Sequence, residues 1–205
     1  MLKILFSLSF SFLLILQMSL AAATTAANNA QLAPINCAPQ LQKSLVKILN
    51  IAEARSLITA IQQEGPIQIE VSNESLSKQF GAFWDETERT ICVNIGSHSS
   101  EGEVIGSILF ELHNAAVNSK LEYYDNLAVA GKIDRESYIQ SIEYLEYENS
   151  KKAAKIAEKG IAMGIFSPSA RLPTYRNFEE HYRFQKIGGH SAYIGSTYDQ
   201  LAPRT

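Results

Sequence analysis

Between Pro39 and Gln63, apolar residues recur every three or four positions at Leu41, Leu45, Ile48, Leu49, Ala52, Leu57, Ile58 and Ile61. That period predicts one amphipathic helix, halted by Gly65-Pro66. The period then changes to two: Ile67, Ile69 and Val71 alternate with Gln68, Glu70 and Ser72, which predicts a half-buried strand. A hairpin follows, with Asp85-Glu86-Thr87 as its turn and Ile91, Val93 and Ile95 alternating in its second strand. Ser100 and Glu103 stand at capping-box spacing and predict the start of a helix that runs past Asn114. A further helix, capped near Asp134, should end around Gly160 or Gly164, with Tyr138, Ile142, Leu145, Ala153, Ile156 and Ala157 on its buried stripe. The remaining tail is rich in Pro, Gly and aromatics and suggests one helix near 178–186, with Gly188-Gly189 turning the chain before His190.

These 205 residues, 46% of them apolar, are enough to bury one core. The expected class is α+β: a small mixed or antiparallel sheet packed on two or three long helices, with an irregular C-terminal tail. A net charge of −3 offers no basic face, which argues against a nucleic-acid partner. The N-terminus carries one early Lys, an apolar run from Ile4 to Ala23 and then small residues, the order of a secretory signal peptide. The expected organisation is therefore a signal peptide over 1–23, a flexible lead-in over 24–38 and one domain over 39–205. No stable membrane span should remain after processing, and the protein should be exported to the periplasm or the exterior. In such an oxidising compartment Cys37 and Cys92 are expected to form a disulfide.

The chemistry-bearing stretch is Phe110-Glu111-Leu112-His113-Asn114, within a helix whose other residues are largely apolar. Followed by Ala115, preceded by a strand ending in "ICVN" and succeeded by a helix bearing "EYLEYENS", it resembles the zincin metallopeptidases over about 68–159. In that family an edge strand borders the substrate cleft, the next helix carries H-E-x-x-H, and a later helix supplies a Glu as third zinc ligand. The resemblance implies a zincin-like domain with Glu111 at the general-base position and Glu146 at the third-ligand position. Phe110 and Asn114 stand where the two His should be. Neither replaces imidazole as a zinc ligand, so no metal or other cofactor is expected. His113 has no ligand-bearing residue three or four positions away and points roughly 200° around the helix from Glu111. It is read as a polar or exposed histidine.

A buried Glu needs a partner or a proton. Asn114, Glu146, Glu148, His181 and His190, with Arg171 and Arg176, are the candidate neighbours of Glu111. One outcome is a hydrogen-bonding post joining two helices to the tail. The sequence thus points to a metallopeptidase-like protein without its zinc ligands, acting by binding or as a structural protein. A peptide or protein segment added along Thr90–Asn94 is the expected partner. The competing reading is an active hydrolase with Glu111 as general base, either metal-independent or with zinc held by Glu111, Asn114, Glu146 and a tail His. No G-x-S-x-G occurs, which removes support for a serine-elbow hydrolase.

Overall fold

A computed structural model describes residues 35–203. The segment read as a signal peptide and most of the lead-in lie outside the described residues. The lead-in ends earlier than expected, because Asn36–Cys37 forms a first strand, β1, and the Ala38 N–H donates to the Ile69 carbonyl at 2.8 Å. Helix α1 (Gln42–Leu49) and helix α2 (Ala52–Glu64) replace the single predicted helix. The break falls at Ile51, which takes an extended conformation and sinks fully into the core. Arg55 Nη1 donates to the Leu49 carbonyl at 2.6 Å and so satisfies one acceptor freed there.

Strand β2 (Gln68–Val71) leads to a six-residue helix, α3 (Ser75–Phe80), that the sequence pattern did not show. The hairpin is present as β3 (Ala82–Asp85) and β4 (Thr90–Val93). The sheet order is β1-β2-β4-β3, parallel except for β3, which runs antiparallel to β4. Ile69, Ile91, Val93 and Ala82 are buried, whereas Glu70, on the opposite face from Ile69 and Ile91, is exposed.

Two expectations are corrected by this topology. Thr90–Val93 is paired on both sides, so it has no free edge for a partner strand; the sheet edge beyond it is β3. Cys37 and Cys92 are both free and buried. Cys37 aligns with Ile69, which aligns with Ile91, whereas Cys92 aligns with Glu70. The thiols therefore lie on opposite faces of the sheet with β2 between their strands. Two strand spacings are roughly 9–10 Å, beyond the roughly 7 Å limit of Cα separation for a disulfide.

Helix α4 (Glu101–Ala115) starts as its capping pattern predicts: Ser100 accepts from the Glu103 N–H, and Glu103 accepts from the Ser99 N–H at 2.7 Å. After a bend at residues 116–117, helix α5 covers Asn118–Val129. Helix α6 (Arg135–Ala162) begins at Asp134, whose carboxylate accepts from the Ser137 N–H at 2.9 Å. The tail is more regular than its composition suggested. Helix α7 (Phe178–Gly188) and helix α8 (His190–Leu201) are separated by Gly189 alone, at φ 84°. That left-handed conformation is one glycine adopts without a Cβ clash. Ile194 of α8 joins Ala128, Tyr138, Ile139 and Ile142 in a second apolar cluster, which holds the tail against α5 and α6. Among the described residues no helix is long and apolar enough to cross a membrane.

Candidate functional site

Helix α4 presents Phe110, Glu111 and Asn114 to a cavity of about 580 Å³. Its other walls come from β3, α6 and the two tail helices, through Trp84, Glu146, His181 and His190 among others. Residues three and four apart share a helix face, which is why Glu111 and Asn114 arrive together and why α6 delivers Glu143, Glu146 and Asn149 to one side.

Glu111 is 6% exposed. Asn114 Nδ2 donates to Glu111 Oε2 at 2.9 Å, and Asn149 Nδ2 donates to Asn114 Oδ1 at 3.0 Å. Burial is the main force that lifts the Glu111 carboxyl to about 8, and the charge of Glu146 adds to it. The Asn114 amide, His190 and the Trp84 backbone N–H oppose the rise. Near neutral pH Glu111 is therefore mostly protonated. The contact with Trp84 has a local cause. The Asn94 N–H donates to the Gly81 carbonyl at 2.8 Å. In an antiparallel pair this fixes the alternation, so Phe83 and Asp85 bond to β4 while the amides of Ala82 and Trp84 face the open edge.

A second polar network begins at Glu143, which is fully buried. His181 Nε2 donates to Glu143 Oε2 at 3.2 Å, His190 Nδ1 donates to Oε1 at 3.2 Å, and the Ser191 hydroxyl donates to Oε1 at 2.6 Å. Burial alone raises the Glu143 carboxyl, but the hydrogen bonds from His181 and His190, the His190 charge and Ser191 hold it down to about 2. His190 reaches toward Glu146 with its other nitrogen, Nε2 lying 3.6 Å from Oε2. Burial disfavours the charged ring, yet the Glu146 and Glu143 carboxylates raise His190 to about 9. Burial and the Glu143 charge raise the Glu146 carboxyl, against the attraction of His190 and His181.

The structure thus gathers Glu111, Asn114, Glu146, His181 and His190 around one space. Glu148 is not among them: it faces outward, where Lys151 Nζ lies 2.8 Å from its Oε1. His113 also departs from its expectation, being buried rather than exposed, with Nε2 lacking a partner. Burial, helped by Lys152, lowers it to about 4. Glu143, Asn149, Ser191 and Trp84 were not singled out from the sequence. Glu143 and Asn149 each lie three residues from Glu146, a spacing that places them on the same helical face. Ser191 and Trp84 lie outside α6 and had no comparable local signal.

A zinc ion held where the zincin resemblance would put it, by residues 110, 114 and 146, does not fit these residues. Phe110 has no donor atom, and the Asn114 amide is oriented by Glu111 at one end and Asn149 at the other. Among the described lining residues the cavity carries Asp85, Glu86, Glu111, Asp125 and Glu146 but no Lys or Arg. Its aromatic walls include Phe80, Trp84, Phe110 and Tyr193. In comparisons with known proteins, no family model matches the chain, nor does any curated protein or solved structure.

Proposed function

We propose that this is an exported zincin-like protein that has lost the helix-borne zinc ligands and binds an extended peptide segment in the cleft beside β3. The observation that carries the reading is the placement of Glu111, Asn114 and Glu146 around one cavity next to the antiparallel edge strand. The residue order strand, helix with Glu111, later helix with Glu146 is the order the resemblance implies. An edge strand offers main-chain hydrogen bonds to an added strand, and Ala82 and Trp84 direct their amides to that side. The Trp84 N–H already faces Glu111, so the added segment registers on the remaining edge groups. Outside the Glu111, Glu146 and His190 group the cavity's charged lining is acidic, through Asp85, Glu86 and Asp125; with aromatic rings beside them and no Lys or Arg among the described lining residues, this favours a peptide with basic side chains.

Trp84 is the only tryptophan in the chain and sits in the cleft wall, so its fluorescence reports occupancy. Titration of extended basic peptides in chelator should change that emission saturably at one peptide per chain. Glu86→Lys should weaken binding at least tenfold. A library in which no peptide perturbs Trp84 would refute the reading.

The buried Glu111 favours a second reading, a hydrolase that uses it as general base once ionised. Peptide cleavage that increases between pH 7 and 9 and disappears in Glu111→Gln would establish that reading instead.

A further inference from the structure

We propose that His190 and Glu146 bind a divalent transition-metal ion, with Glu143 orienting His190 from behind. The site differs from the family's position because its imidazole comes from the first residue of α8. One ligand atom from each of Glu143, Glu146 and His190 lies within 4.8 Å of the other two. The contacts divide their roles. Glu143 has both oxygens occupied, by His181, His190 and Ser191. A carboxylate that holds the far nitrogen of a histidine fixes its tautomer and aims its near nitrogen at a metal. The near nitrogen, Nε2, lies 3.6 Å from Glu146 Oε2, too far for a hydrogen bond. It is close to the roughly 3.4 Å that separates two ligand atoms on a tetrahedral ion with bonds of about 2.0–2.2 Å.

Two independent features point the same way. The Glu146 carboxylate makes no hydrogen bond among the described residues, although the side chain is only 16% exposed. His181, 1% exposed and in the wall of the same cavity, has an unpartnered Nδ1. Imidazole and carboxylate together suit Zn²⁺ and its neighbours in the first transition row. The cavity leaves space for water or a ligand group to complete the coordination. Zn²⁺ takes the place of the Nε2 proton, which passes to solvent.

The inference does not rest on peptide binding, which is measured in chelator and stands or falls separately. The test is calorimetric titration of Zn²⁺ into the metal-stripped protein. One ion per chain should bind in the wild type and in Glu148→Gln. Glu146→Gln and His190→Gln should abolish binding, and Glu143→Gln should weaken it about 10- to 100-fold. No Zn²⁺ bound by the wild type, or binding unchanged in His190→Gln, would overturn the proposal. Should a variant fail to fold, Co²⁺ added to the wild type gives a second readout. Paramagnetic broadening of the His190 ring resonances, with those of His98 and His113 spared, supports the site; an unbroadened His190 refutes it.

Discussion

Replacing Glu111 with Gln imitates the protonated acid, keeps an oxygen for the Asn114 amide and removes the ionisation. In the folded protein the carboxyl is raised from 4.5 to about 8, chiefly by burial. Its effect on stability is therefore fully favourable below pH 4.5 and is lost as pH increases toward 8, because the folded state binds more protons than the unfolded state across that window. At about 1.4 kcal/mol per pKa unit, the loss reaches about 3 kcal/mol at pH 7 and about 5 kcal/mol above pH 8. Glu111→Gln has no such loss. Urea unfolding of both proteins in chelator, at pH 4.5, 7 and 8.5, should give nearly equal stabilities at the lowest pH. The variant should then gain progressively, with unchanged m-values. A stability difference that does not vary with pH, or a Gln variant less stable than wild type at pH 8.5, would refute this account of Glu111.

Gly160→Ala drives a Cβ into the Phe166 ring, so it should destabilise by about 1–3 kcal/mol in thermal or urea melts. Gly188→Ala, where a Cβ meets nothing within 4 Å, should instead stabilise α7 by about 0.5–1 kcal/mol; equal effects at the two positions would contradict the packing described. Cys37 and Cys92 should both titrate with a thiol reagent in urea without reductant and react slowly when folded. Burial raises both thiols, that of Cys92 to about 11 with added repulsion from nearby carboxylates. An intact mass two hydrogens short would refute the free-thiol assignment.

Local order was legible wherever one periodicity or one cap governs it. The Ser100 and Asp134 caps, the alternation in Gln68–Val71 and the Asp85-Glu86-Thr87 turn all depend on residues within a few positions, and each is found in the fold. Glu111 and Asn114 were legible as neighbours for the same reason, since a helix fixes what lies three residues apart. Glu148 was misplaced because two residues along α6 from Glu146 turn a side chain away from its face. The break at Ile51 escaped the pattern because the apolar period continues across it, and only core packing decides that Ile51 leaves the helix.

The long-range pairings were decided by tertiary structure alone. Strand order made Thr90–Val93 interior, left β3 at the edge and put Cys37 and Cys92 on opposite faces of the sheet. Sequence alternation says which residues share a face of one strand, but the neighbours of that strand depend on how distant segments bury their apolar faces together. The meeting of Glu143 and Glu146 with His181 and His190, about forty residues further on, likewise required α7 and α8 to pack against α6. The sequence determined those elements that one period or one cap governs and the chemistry each carries; packing decided the break at Ile51 and which groups meet.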